Sequence, residues 1–129
     1  MLRAAKKVSA APLLWVPDRG DVIYINFSPQ LGAEMKDEHP MLVLTSKAFN
    51  DRTKIVIGLP MTHSESNETN PFAEKFIGPH GETCYVLSYL PKSFDWRERA
   101  ARPHPMKTLN ATVFKAACAA LNQIVMIGD

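Results

Sequence analysis

A mainly β protein is what this sequence predicts: a small, partly open barrel of roughly five antiparallel strands with one C-terminal helix. Three observations carry that expectation. Short runs of β-branched and aromatic residues recur along the chain, each stopped by turn-forming residues. The 10 Pro and 6 Gly among the 129 residues are spread as punctuation, which excludes a long helical bundle. Helical periodicity enters near the C-terminus, where Val113, Ala117, Leu121, Ile124 and Val125 fall on one face.

Residues 1–16 show no sustained periodicity and read as an N-terminal extension to a single domain over 17–129, with Leu13-Leu14-Trp15 placed to pack on that domain. Val16-Pro17-Asp18-Arg19-Gly20 has turn chemistry, and Val22 to Phe27 makes the first strand, ended by Ser28-Pro29. A polar loop from Gln30 to Glu38 follows, and Pro40 leads into a strand over Met41 to Thr45. A turn centred on Asn50-Asp51 precedes the strand Lys54 to Leu59, which Pro60 is expected to stop. His63 to Asn70 is almost wholly polar and reads as an exposed loop or wide hairpin connection. Phe72 to Ile77 alternates as a half-buried strand does, and Pro79-His80-Gly81 turns the chain. Cys84 to Leu90 forms a further strand, which Lys92 to Trp96 continues past Pro91 with a bend. Thr108 or Asn110 caps the final helix and Gly128 follows its end.

Hydrophobic residues make up 46% of the chain and charged residues 22%, a balance that supports a packed core and excludes both disorder and a long apolar membrane span. The formal net charge of +2 is too small to mark a nucleic-acid-binding protein by composition, so the local distribution of cations decides. Cys84 and Cys118 lie far apart without metal-ligand spacing, and His39, His63, His80 and His104 are scattered. Neither a disulfide framework nor a metal or other cofactor is expected. The basic N-terminus is followed by an apolar stretch that Pro12 and Pro17 interrupt, unlike a secretory signal, so a cytoplasmic location without a membrane partner is expected.

Three local groups could carry chemistry. Glu38-His39-Pro40 presents an imidazole able to take up or release a proton near neutral pH, although a loop histidine can equally be a solvated one. Pro60-Met61-Thr62-His63-Ser64 sets hydroxyls and an imidazole at a strand exit, where turn chemistry is the plain alternative. Between Lys92 and Lys107 stand five cations, Lys92, Arg97, Arg99, Arg102 and Lys107, against Asp95 and Glu98, with Phe94 and Trp96 interleaved. Cations for phosphates and aromatic faces for unstacked bases suit single-stranded nucleic acid, while a solvated basic turn with core aromatics is the bland reading. No phosphate-binding loop, dinucleotide fingerprint, nucleophile elbow or zinc-protease motif is present in the sequence.

Taken in order, Val16-Pro17-Asp18-Arg19-Gly20-Asp21 with the strand to Pro29, Gly32 with Glu34, His39-Pro40-Met41-Leu42-Val43-Leu44, Leu59-Pro60-Met61-Thr62 and Pro91-Lys92-Ser93-Phe94-Asp95-Trp96-Arg97 resemble the MazF/PemK family of toxin endoribonucleases. The resemblance spans about residues 16–127. It implies an SH3-like barrel of the PemK/MazF/CcdB type, a homodimer, cleavage of single-stranded mRNA at a short sequence, and a cognate antitoxin. Thr62 matches the family's active-site threonine. His39 stands where many members carry the catalytic arginine, and Tyr89-Leu90 where some carry an Asp-Gln pair. On this basis His39 is expected to transfer protons, Thr62 to orient a phosphoryl oxygen and His63 to stand in reserve. Glu34, Phe72, Tyr89, Lys92, Trp96, Arg97 and Arg99 are expected to meet RNA. The alternative is a non-cutting RNA- or protein-binding member of the same fold, or a CcdB-like toxin directed at gyrase.

Overall fold

The computed structural model describes residues 15–28, 38–126 and 128. Along them run β1 (Asp21–Asn26), β2 (Glu38–Val43), α1 (Lys47–Thr53), β3 (Ile55–Thr62), a 3-10 turn (Glu65–Thr69), β4 (Ala73–Ile77), β5 (Thr83–Leu87), β6 (Lys92–Asp95), β7 (Arg102–Thr108) and α2 (Ala111–Val125). The strands join in the order β4-β5-β3-β2-β1-β7, with β6 paired to β3, and every pairing is antiparallel. The sheet curls into a half-barrel, so the mainly β architecture with a C-terminal helix is as expected.

The strand count and several boundaries differ from expectation. β3 does not stop at Pro60 but passes through it. Its earlier part pairs with β2 and β6, and its end, Met61 and Thr62, pairs with β5. Pro60 is therefore the point where the strand leaves one partner for another, a change of pairing that tolerates a missing N–H. Lys92–Asp95 lies on β3 as a separate strand rather than extending β5. β7 was not foreseen because Pro103 and Pro105 argue against a strand. They are tolerated because β7 forms the sheet's edge, where proline also discourages further pairing. His39 belongs to β2 rather than to the loop before it.

The expected turn at Asn50-Asp51 is the helix α1. Ser46 caps it by accepting the Phe49 N–H at 3.2 Å, and Lys54, at φ 62°, closes it with its N–H on the Asn50 carbonyl at 2.9 Å. Asn50 is its single buried residue, so no apolar stripe advertised the helix.

Alternation along the strands divides the apolar residues between two faces. Val22, Leu42, Leu59, Met61 and Val86 gather on the face covered by α2, through Ala117, Val113 and Leu121. Ile23, Ile25, Met41, Val43, Val56 and Trp96 fill the other, with Trp15, Phe27 and Phe94 packed against them. Each fully buried aliphatic side chain contributes about 1.5–3 kcal/mol, so both clusters hold the sheet in shape. Trp15 meets Trp96 edge-on at 5.9 Å, as its placement beside the domain suggested, whereas Leu13, Leu14, Gly32 and Glu34 lie outside the described residues. Asn110 is the α2 cap, accepting the Thr112 and Val113 N–H groups, and Ser88 Oγ donates to the Ala117 carbonyl at 2.9 Å. Ile124 and Val125 do not join the buried stripe; they are 41% and 43% exposed.

Candidate active site

The register of β2 on β3 builds the site. Val43 pairs with Gly58, Leu42 with Leu59 and Met41 with Pro60. The pairing of β2 with β3 ends there; strand alternation puts His39, two residues before Met41, and Thr62, two residues after Pro60, on the face of Met41 and Val43. Thr62 pairs in turn with Tyr85, and Tyr85 with Lys75. Thr62, Tyr85 and Lys75 thus occupy successive positions in one row across β3, β5 and β4, with His39 on the same face of β2. That face draws together residues 46 positions apart in sequence, by residue number 39 to 85.

Glu68, on the 3-10 turn, locks the far end of the row. Its Oε1 accepts the Tyr85 hydroxyl and its Oε2 the Lys75 ammonium at 2.8 Å. Lys75 and the Tyr85 hydroxyl together hold the Glu68 carboxyl below the usual carboxylate range. Glu68 in return, with burial, pushes Tyr85 up to about 12. Tyr85 is therefore no proton shuttle near neutrality. Thr62 Oγ1 accepts the Ser64 N–H at 3.1 Å, which leaves its own proton available to a ligand oxygen.

His39 also leads into an aromatic and cationic patch. Its ring meets Phe27 edge-on at 5.5 Å, Phe27 meets Phe94 at 5.0 Å, and the Arg99 guanidinium lies 4.6 Å over Phe94. Arg99 is turned inward, donating to the Asn26 and Ser28 carbonyls, so its principal work is to fix the end of β1. Lys92 is exposed on the same face as Phe94, at the end of β6 nearer Thr62. Arg97 is exposed in the turn after β6, which Asp95 braces by accepting the Arg97 and Glu98 N–H groups. Phe72 and Tyr89 are exposed where the β4–β5 hairpin abuts α2 rather than in the row. Trp96 is not a base platform: only 8% exposed, it donates Nε1–H to the Asn50 carbonyl at 2.8 Å and belongs to the core. Glu34 falls outside the described residues.

A cavity of about 460 Å³ opens on the other face at the same end of the sheet. Thr62 and His63 line it, together with Pro40, Tyr24, His80 and His104. His63 is thus separated from His39 by the alternation of the strands, and the two imidazoles do not share a face. Sequence reasoning missed Tyr24, Phe27, Glu68, Lys75 and Tyr85. Phe27 continues the period-two pattern of Ile23 and Ile25 and could have been found from it, whereas the Glu68–Lys75–Tyr85 cluster depends on strand pairing alone. Among the described residues, no three His, Cys, Asp or Glu side chains are grouped to hold a metal ion, and no helix is long and apolar enough to cross a membrane.

Residues 18–125 match the family described as PemK-like, MazF-like toxin of type II toxin-antitoxin system. The chain belongs to that family. It is 30% identical over 87 residues to the endoribonuclease toxin MazF of Escherichia coli strain K12, covering 67% of this chain and 76% of that protein. The fold is similar to MazF of Deinococcus radiodurans, with a TM-score of 0.74, 29% identity, and coverage of 88% of this chain and 99% of that one. MazF in the MazE-MazF structure from the same organism gives a TM-score of 0.76 at 29% identity, with the same coverage.

In this PemK/MazF-family chain position 39 carries an imidazole, and the exposed Lys92 ammonium stands on the same face as Phe94.

Proposed function

We propose that this PemK/MazF-family protein is the toxin of a type II toxin-antitoxin system and acts as an endoribonuclease that cuts single-stranded mRNA at the face shared by His39 and Thr62. The single observation that supports the reading is that the His39 imidazole and the Thr62 hydroxyl fall on one face of the sheet, beside the half-buried Phe27–Phe94 pair and the exposed Lys92. RNA brings its own nucleophile. His39 takes the proton of the ribose 2′-hydroxyl as the 2′-oxygen bonds to phosphorus, and the P–O5′ bond breaks. The leaving 5′-oxygen is protonated by the imidazolium formed in the first transfer or by water. Thr62 Oγ donates to a phosphoryl oxygen, and Lys92, with Arg97 behind it, balances the charge that develops there. The products are a 2′,3′-cyclic phosphate and a 5′-hydroxyl.

The Phe27–Phe94 edge offers surface for unstacked bases, at roughly 1–3 kcal/mol per stacked base. A homodimer extends this face, and a cognate antitoxin segment that folds across it silences the enzyme, trading ordering entropy for a broad interface. The D. radiodurans MazE-MazF assembly supports such a partner. Acting on mRNA, the protein works in the cytoplasm.

The test is incubation of purified protein with mixed single-stranded RNA in EDTA. Discrete fragments ending in a cyclic phosphate are expected, and a 2′-deoxy nucleotide at the cut abolishes them. His39→Ala lowers the rate by roughly 100-fold or more; undiminished cutting by that variant removes His39 from the chemistry. A wild-type protein that binds RNA but never cuts it is instead a binding protein on this scaffold.

A further inference from the structure

The cavity beside Thr62 presents two imidazoles whose tautomers are assigned by their partners. His63 Nδ1 lies 3.0 Å from the Thr83 carbonyl, which can only accept, so Nδ1 carries the proton and Nε2 is an acceptor. His104 Nδ1 accepts the Met106 N–H at 3.0 Å, so its Nε2 carries the proton and is a donor. Burial, with His63 and Arg102 nearby, pushes the His104 imidazole below its ordinary value, which keeps it neutral and in that tautomer.

His104 is also held in position. Its ring lies 4.5 Å from that of Tyr24, whose own ring carries the Arg102 guanidinium at 4.4 Å. Arg102 is in turn gripped by both carboxylate oxygens of Glu38, the residue next to His39. The remaining walls include Met61, Met106 and Pro40, which are flat or pliable and apolar. A flat ring with one donor and one acceptor on its edge fits such a space, and a volume of about 460 Å³ admits it with its sugar. Pro40 and Thr62 line this cavity at the end where the pairing of β2 with β3 stops, and Pro40 adjoins His39 in the chain, so whatever enters lies beside the proposed cutting site.

We propose that the cavity receives the nucleobase adjoining the cut and reads its hydrogen-bonding edge through His63 Nε2 as acceptor and His104 Nε2–H as donor. This rests on the endoribonuclease reading above and adds to it the place where sequence is chosen. His63 and His104 become specificity-determining residues, and His39 with Thr62 remain responsible for the chemistry.

A random-sequence single-stranded RNA pool is digested by the wild-type protein and by His63→Phe, which keeps a flat ring but loses the acceptor, and the cut ends are sequenced. Preferences are compared as ratios between sites within one digest, so a common loss of rate cancels. At one nucleotide position next to the cut, the wild-type preference is expected to fall by roughly 10-fold in His63→Phe while preferences at other positions persist. Wild-type protein supplies a second measurement that needs no variant to fold. RNA with a 2′-deoxy nucleotide at the cut and 4-thiouridine placed in turn on either side is expected to photocrosslink to Tyr24, Met61, His63, His104 or Met106. Crosslinks confined to Phe27 and Phe94, or an active His63→Phe enzyme with the wild-type profile, overturn the pocket alone. A wild-type protein that cuts no RNA overturns the endoribonuclease reading and the pocket with it.

Discussion

Replacing Asn50 by Ala removes the knot that ties the N-terminal turn, the segment after β2 and α1 together. The side chain is fully buried and makes three hydrogen bonds: Nδ2 donates to the Pro17 carbonyl at 2.7 Å and to the Thr45 carbonyl at 3.0 Å, and Oδ1 accepts the Thr45 hydroxyl. A net loss of about 1 kcal/mol for each bond gives roughly 3 kcal/mol. The Pro17 carbonyl, left without this donor in the interior, adds a desolvation cost of about 1–2 kcal/mol, for a total of roughly 4–5 kcal/mol. That is a large share of the roughly 5–15 kcal/mol that holds a domain of this size together. Urea unfolding followed by tryptophan fluorescence is the fitting assay, because Trp96 donates its indole N–H to the backbone carbonyl of Asn50 itself. The midpoint should fall steeply with the slope unchanged. A loss below about 1 kcal/mol would refute the reasoning, since it would mean that water or a rearranged loop satisfies these groups as well as Asn50 does.

Two further predictions follow from single positions. A Cβ on Gly58 would stand 2.2 Å from the Leu42 carbonyl oxygen, a backbone atom that cannot swing aside, so Gly58→Ala should cost about 3 kcal/mol or more, read as a lowered melting temperature. Between pH 8 and 5.5, stability should decline on acidification because the unfolded chain protonates His104 near its ordinary value of 6.5 while the folded chain resists; His104→Gln should flatten that slope. The window stops short of the carboxylates, where Glu68 and Glu82, both lowered, lose their contribution as the pH falls and Asp21, raised by burial, acts in the opposite sense.

The strands that carry a buried alternation were legible in the sequence, as Ile23 and Ile25 in β1 and Val56 in β3 illustrate. So was α2, whose Asn110 cap and apolar stripe are local signals. What escaped has a common cause. α1 buries one polar residue and so lacks periodicity, and β7 carries prolines that only an edge position excuses. At the site, the residue types were readable from His39 and Thr62, but not which faces they share. His63 follows Thr62 directly, which suggested a common role, and strand alternation instead sends it into the cavity with His104. Trp96 stood among cations and was expected at the RNA face, but its partner is the Asn50 carbonyl, 46 residues away in the chain.

The placing of His39 and the packing of the core depend on one register. A slip of β2 by a single residue would turn His39 to the face now held by Pro40. It would also expose Met41 and Val43 and drive Leu42 out from beneath α2, so the buried aliphatic residues oppose the slip far more strongly than any contact of His39 could. Gly58 supplies the steric key, since the Leu42 carbonyl approaches too closely for any side chain there. The exposed imidazole at position 39 therefore takes its face from the residues buried on either side of β2. That dependence makes Gly58→Ala the informative partner to His39→Ala: the first should lower stability and cutting together, the second cutting alone.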